Sequence, residues 1–278
     1  MTYTLAQVTL DVARIVAHVV EGIATGPPST GSATTLIDTA FQFTVDGVNA
    51  PIDDYYNFGT IWFIDGASAN KARLITDWDQ SDKTWTYVTT TTKNMVGDLY
   101  AVTDRTFPLY ALNQAVNRAY ADMGGLEATN TALTTLASTV SYAFPTGVYN
   151  ILDVEVANET ASPYTWQRHN NWRVVGSTIE FDRVPTSGRT IRLTYRITPT
   201  YLDEDTNPTI SDNVPIDLLK WTAAVFALEA KLRLVENDEP KVKTDLTIAL
   251  DKARRKVLEH RASFPRTPKA NHYNTLVG

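Results

Sequence analysis

The chain has 278 residues, 43% hydrophobic and 20% charged, with no cysteine, four histidines and a formal net charge of −6. That length exceeds one ordinary domain and the composition is far from that of a disordered chain, so two or three packed units are expected. Without cysteine there are no disulfides, thiol nucleophiles or thiolate metal sites, and the scatter of His18, His169, His260 and His272 leaves no local zinc-ligand pair.

From Leu5 the apolar residues Leu5, Val8, Val12, Ile15, Val19 and Ile23 follow helical spacing, with Gln7, Asp11, Arg14, His18 and Glu21 opposite. The pattern predicts an amphipathic first helix, opened by a capping box of Thr4 and Gln7 and stopped at Gly26-Pro27-Pro28. The charged residues interrupt the run too often for a signal h-region or a membrane-spanning helix. Short strand-like runs follow up to about Val102: Phe41, Phe43 and Val45 alternate, Ile75 lies in a second run, and Thr84, Thr86 and Val88 in a third. They predict a small twisted sheet or barrel.

Thr106 and Pro108 open a second helix with Leu109, Leu112, Val116, Ala119 and Met123 on one stripe and Gly124-Gly125 as its stop. A second β-region alternates Leu152, Val154 and Val156 with Asp153 and Glu155, then Ile191, Leu193, Tyr195 and Ile197 with Arg192, Thr194 and Arg196. One face buried and one wet is the signature of an antiparallel sheet. After a polar connector, Pro199 to Asn213, come two helical stripes: Leu218, Trp221, Val225, Leu228, Leu232 and Val235, then Val242, Leu246, Ala249, Ala253 and Val257. A short break at Asn237 to Pro240 predicts that this pair packs side by side, antiparallel.

The expected fold class is therefore α+β: a helical bundle of N-terminal helix, middle helix and C-terminal helix pair, carrying two antiparallel β insertions. In residue terms, 1–35, 104–130 and 211–264 make the bundle, 36–103 a barrel-like insertion, 131–202 a sandwich-like insertion and 265–278 an extended tail.

Chemistry is harder to find. Gly66 is followed by Asn70, Lys71 and Ala72, which lacks the second glycine and the magnesium hydroxyl of a phosphate-cradling loop. Asp77, Asp79 and Asp82 have the spacing of a calcium loop without its glycine and terminal glutamate, so Asp79 to Asp82 reads as a hairpin turn. Six tryptophans, Trp62, Trp78, Trp85, Trp166, Trp172 and Trp221, serve either as core or as stacking faces for sugars or bases. The acidic clusters at Asp53-Asp54 and Asp203 to Asp205 have no nucleophile elbow beside them, and no enzyme, cofactor or metal is expected. Charge, in contrast, is polarised: Lys252 to Lys269 holds seven Lys/Arg against Glu259, a local +6 that leaves −12 for the rest of the chain. Asp251 and Arg255 can pair at i,i+4, whereas Lys252, Arg254, Lys256 and Arg261 have no evident intrahelical partner. That face is either solvated or meets an acidic partner or DNA phosphates.

The run Gly59 to Ile75, GTIWFIDGASANKARLI, resembles a β-module recurrent in tailed-phage structural proteins. Val148 to Val156 and Trp172 to Tyr195, followed by IDLLKWTAAVFALEAKLRL and the basic helix, resemble tailed-bacteriophage head-to-tail adaptors, the connector proteins of the neck. The resemblance implies a structural virion protein, assembled in the host cytoplasm and lodged between capsid portal and tail. It would form a ring, typically of twelve copies, that binds the portal protein on one side and a tail or stopper protein on the other, with DNA passing through the lumen unbound and no membrane involved. Carried onto this chain, it makes Arg254, Arg255, Lys256, Arg261, Arg266, Lys269, His272 and Tyr273 candidate portal contacts, and Arg14 and His18 candidate subunit contacts. The alternative is a non-catalytic carbohydrate-binding or tail/baseplate attachment module presenting Trp62 or Trp172.

Overall fold

A computed structural model of the chain describes residues 3–17, 19–25, 33–40, 44–45, 48–49, 56–79, 81–91, 96–123, 126–148, 150–197, 200–203, 206–210, 214–235 and 240–263. It divides into two compact units, Met1–Asp122 with Thr200–Phe264 and Met123–Pro199 with Pro265–Gly278.

In the first unit β1 (Tyr3–Thr4) leads into α1 (Leu5–Val16), and the predicted capping box forms: the Thr4 hydroxyl accepts from the Gln7 amide at 3.4 Å and the Gln7 side chain accepts from the Thr4 amide at 3.0 Å. The helix ends seven residues short of the expected Ile23. Ala17 is already extended, and Val19–Ile23 is a strand, β2. Helical spacing of Val19 and Ile23 misled because Val-Val-Glu-Gly-Ile is poor helix material: two β-branched valines lose rotamer freedom and Gly22 costs about 1 kcal/mol in a helix. The strands β3 (Ala33–Ile37), β4 (Thr44–Val45), β5 (Val48–Asn49), β6 (Thr60–Phe63), β7 (Ala72–Asp79), β8 (Thr84–Thr91) and β9 (Leu99–Thr103) follow. Of the expected Phe41, Phe43, Val45 alternation, the two phenylalanines lie outside the described residues.

β2, β9, β6, β7, β8 and β3 form one antiparallel sheet in that order. It curls into a half-barrel whose two outer strands approach at one end, where the Thr25 amide donates to the Ile37 carbonyl at 2.8 Å and the Thr39 amide to the Thr25 hydroxyl at 3.1 Å. Its concave core is aromatic: Trp78 stacks on Trp85 at 4.0 Å, with Tyr56 and Tyr100 edge-on to Trp85.

α2 (Leu109–Asp122) buries Leu109, Leu112, Val116 and Ala119 as its stripe predicts; the expected Gly124-Gly125 stop lies outside the described residues. The unit is completed by β17 (Thr209–Ile210), paired with β1, and by α3 (Ile216–Leu234) and α4 (Pro240–Ser263). α3 packs against α1, α2 and α4. The predicted α3 stripe is rotated: Leu228 is buried, but Leu218, Trp221, Val225 and Leu232 are only half-buried, while Leu219, Thr222, Ala223, Ala224 and Ala227 are interior. A helix with neighbours on several sides has no single apolar face for the spacing to report.

The second unit is a β-sandwich of β10 (Leu126–Thr134), β11 (Ser141–Ala143), β12 (Ile151–Ala157), β13 (Trp166–Arg168), β14 (Trp172–Val175), β15 (Thr178–Phe181) and β16 (Thr190–Ile197). One sheet runs β10-β16-β12-β13, the other β11-β15-β14. Between them lie Tyr142, Val148, Ile151, Val154, Ile179, Phe181, Ile191 and Leu193. β16 alternates as predicted, with Ile191 and Leu193 inside. β12 does not: a register shift between Ile151 and Asp153 buries Ile151, Val154 and Ala157 in place of Leu152, Val154 and Val156.

The expected helical bundle with two β insertions is thus overturned. Strand exceeds helix among the described residues, the six-stranded half-barrel and the sandwich dominate, and the four helices support them. The four expected helices form, and only the Val19–Ile23 end of the first stripe turns out to be a strand; the error lay in treating the two β-regions as insertions when they make most of the structure.

Candidate interaction surface on the C-terminal helices

α4 buries Leu250, Ala253 and Val257, and α3 lies against it. This fixes where each basic side chain of the run can point. Arg254 donates to Glu229 of α3 at 2.9 Å, and Arg261 meets Asp122 at the end of α2 at 3.5 Å. Lys256 does have an intrahelical partner, Glu259, at 2.7 Å, and that hydrogen bond holds the Glu259 carboxyl below its usual range. The Arg255 Nε donates to the Asp251 carbonyl at 3.3 Å, so the expected i,i+4 pair forms through the backbone and not the carboxylate. Three of the five described cations of the run, Arg254, Lys256 and Arg261, are therefore paired within the fold, and Lys252 and Arg255 remain exposed.

The outward stripe of α4 also carries apolar side chains. Ile248 and Leu258 are 61% and 66% exposed, and with Arg255 they follow the i, i+7, i+10 spacing of one helix face. Arg266, Lys269, His272 and Tyr273 lie outside the described residues, as does His18.

Arg14 is engaged within its own unit. Its Nε and Nη2 reach both carboxylate oxygens of Glu21 on β2 at 2.6 Å, and Nη1 reaches Asp11 at 2.9 Å. The Glu21 contact, foremost, raises the Arg14 pKa. A bidentate fork of this kind straps α1 to β2 and leaves Arg14 little capacity for a neighbour.

The other sequence-read features settle as structure. Gly66–Ser68 is a tight 3₁₀ turn in which a side chain at Gly66 would collide with the Asp98 carboxylate. Asp79 Oδ1 accepts from the Ser81 and Asp82 amides at 2.8 and 3.2 Å, closing the β7–β8 hairpin as the sequence reads. Trp62, Trp78 and Trp85 are buried, so Trp62 offers no face to a sugar; Trp172 and Trp166 are half-buried, and the Arg192 guanidinium lies over Trp166 at 4.4 Å. Among the described residues no three His, Cys, Asp or Glu side chains converge as metal ligands, and no helix is long and apolar enough to cross a membrane.

One buried polar group escaped the sequence reading. Asp38, 2% exposed, accepts the Tyr100 hydroxyl at 2.9 Å, and that hydroxyl in turn accepts the Trp85 Nε1 at 3.3 Å. Burial, then the neighbouring Asp38 charge, pushes the Tyr100 hydroxyl far above its usual range, so it stays a donor. Gly22 allows this: a Cβ there would sit 2.2 Å from Asp38 Oδ2 and 2.6 Å from the Tyr100 hydroxyl. The group ties the end of the outer strand β3 to Tyr100 on β9, the strand next to the other outer strand β2; its one sequence trace is an aspartate directly after the apolar pair Leu36-Ile37.

No protein-family model matches the chain, and no curated protein does.

Proposed function

We propose that the chain is a structural virion protein, a ring-forming adaptor that joins the capsid portal to the tail and lets DNA pass through its lumen. The observation that carries this reading is the polarity of charge: the chain is acidic outside Lys252 to Lys269, and the basic helix α4 leads directly into the segment Pro265 to Gly278. An acidic bulk repels DNA along a conducting path, while a basic end is left for an acidic protein surface. Arg254 and Arg261 already serve Glu229 and Asp122, so portal contact falls to the tail residues Arg266, Lys269, His272 and Tyr273. Short tails that order on docking add specificity at modest affinity.

The test is deletion of Pro265 to Gly278, followed by electron microscopy of portal-bearing heads incubated with the full and shortened chains. The full chain is expected to add a ring of density below the portal and the shortened chain to fail. Equal occupancy by both removes the tail from docking, and no ring from either overturns the adaptor reading.

A further inference from the structure

Asp98 holds the corner where β2, the end of β6 and the start of β9 meet. Its carbonyl accepts the Ala24 amide just past β2 at 3.0 Å, and the neighbouring Gly97 amide donates to the Ala24 carbonyl at 2.8 Å. From the other side, the Ile64 amide donates to the Leu99 carbonyl at 2.8 Å and the Leu99 amide to Asp65 Oδ1 at 2.7 Å. The β6–β7 turn then folds over the Asp98 side chain. A Cβ at Gly66 would collide with all three atoms of its carboxyl group, so that group lies against the bare backbone of the Gly66–Ser68 turn.

The carboxyl group pressed there lacks what a carboxylate needs. Its Oδ2 is sealed from solvent and has no hydrogen-bond partner. The charged groups around the corner do not compensate it. Asp65 adds a second negative charge, and Lys71, at the end of the turn, pairs with neither acid among the described residues. Arg73 on β7 donates to the Ala72 carbonyl at 2.7 Å, and Glu21 on β2 is taken by Arg14 at 2.6 Å. Burial first, then the Asp65 charge, pushes the Asp98 carboxyl above its usual range. Sealing a neutral carboxyl group costs far less than sealing an ionised one.

We propose that Asp98 is a proton-operated latch on the half-barrel: neutral, it lets the Gly66–Ser68 turn close on the start of β9, and ionised, beside Asp65, it drives that turn off. The latch works within one chain and is independent of the adaptor reading. A carboxyl group whose folded pKa is raised contributes stability that is full below its unfolded pKa of about 4 and is lost as pH rises through the higher folded value. The turn is where that loss falls, since few bonds hold it: the Ala69 amide to the Gly66 carbonyl at 3.3 Å, Asn70 to Phe63 at 2.6 Å and Lys71 to Ser68 at 3.0 Å.

The experiment is amide hydrogen exchange on the full chain at about pH 5 and about pH 8, corrected for intrinsic rates, for the wild type, Asp98→Asn and Asp65→Asn. In the wild type, protection of the Asn70 and Lys71 amides is expected to fall on the order of tenfold from the lower pH to the higher, while the Ile191 and Leu193 amides of the sandwich keep theirs. Asp98→Asn, neutral throughout, should hold the low-pH protection at both values. Asp65→Asn keeps an oxygen for the Leu99 amide and removes the like charge, so the fall should shrink. Wild-type protection that does not change with pH overturns the latch, as does a parallel fall in the sandwich. Turn amides less protected in Asp98→Asn than in the wild type at both pH values overturn it too, because the carboxylate would then be holding the turn in place. Should Asp98→Asn fail to fold, Asp65→Asn still decides: an undiminished fall in that variant rules the latch out.

Discussion

In the half-barrel the largest fully buried side chains are aromatic, Trp78 and Trp85 stacked at 4.0 Å and Tyr100 anchored to Asp38. The sandwich core is chiefly aliphatic, Ile151, Val154, Ile179, Ile191 and Leu193, with one edge-on pair of Tyr142 and Phe181. The polar chemistry differs likewise. The half-barrel buries a carboxylate, Asp38, at its seam, whereas the ion pairs of the sandwich, Arg192 with Glu155, Arg173 with Glu180 and Arg168 with Asp153, join side chains that all keep some exposure. A curled sheet has an interior too narrow for many side chains but two outer strands to hold together, so a few large rings and a buried clasp suit it. Two flat faces are filled better by branched aliphatics. Deleting one large ring should therefore cost more than deleting one aliphatic residue. Trp85→Ala removes three ring contacts and a donor, for about 3–5 kcal/mol, against about 2–5 kcal/mol for Leu193→Ala. Urea denaturation of both variants checks this, and an equal or larger loss for Leu193→Ala would break the contrast.

The next largest effect separates two glycines. Gly22 is needed for space, because Asp38 and Tyr100 are buried and bonded to each other and cannot give way to a Cβ. Gly176, at the β14–β15 turn, has a φ of 58° and nothing within 4 Å of a would-be Cβ, so it is needed for backbone conformation alone. Gly22→Ala is expected to lose about 1–3 kcal/mol by overpacking, and Gly176→Ala about 1 kcal/mol from its left-handed φ. The same denaturation measurement ranks them. Gly22→Ala should also perturb the near-ultraviolet circular dichroism of the Trp85–Tyr100 cluster, which Gly176→Ala should leave unchanged.

The sequence shows local features better than closure. The Thr4–Gln7 capping box, the α2 stripe, the Asp79 turn and the β16 alternation were all legible, because each depends on residues within a few positions of one another. The half-barrel seam was not: Thr25 with Ile37, and Asp38 with Tyr100, pair residues that are distant in sequence and carry no spacing rule. The ion-pair partners of the basic run fared the same way. Lys256 with Glu259 is an i,i+3 pair that periodicity contains, whereas Arg254 with Glu229 and Arg261 with Asp122 depend on how α3 and α2 pack. A charge run read alone overstates the free charge for that reason.

The smallest expected effect is electrostatic and lies at the tip of the half-barrel. The Ser81 hydroxyl, followed by the Asp82 and Ser81 amides, holds the Asp79 carboxyl below its usual range. A carboxyl whose folded pKa is depressed contributes stability above its unfolded pKa of about 4 and loses it as pH falls through the lower folded value. Asp79 lies in a solvated hairpin turn, so solvent screens most of that contribution. Asp79→Asn keeps the oxygen acceptor but removes the titration. Between about pH 5 and pH 2 its Tm should therefore fall slightly less steeply than that of the wild type, with near-equal Tm at neutral pH. The sandwich offers the parallel case: Glu159, also in a solvated loop, is held low first by the Thr165 hydroxyl and then by its amide, so Glu159→Gln should flatten the same acid limb. Comparable shallow changes from both would mean that the two units share their acid sensitivity at exposed turns, despite cores built on different chemistry. A steep acid loss surviving in both variants would place that sensitivity outside these two turns.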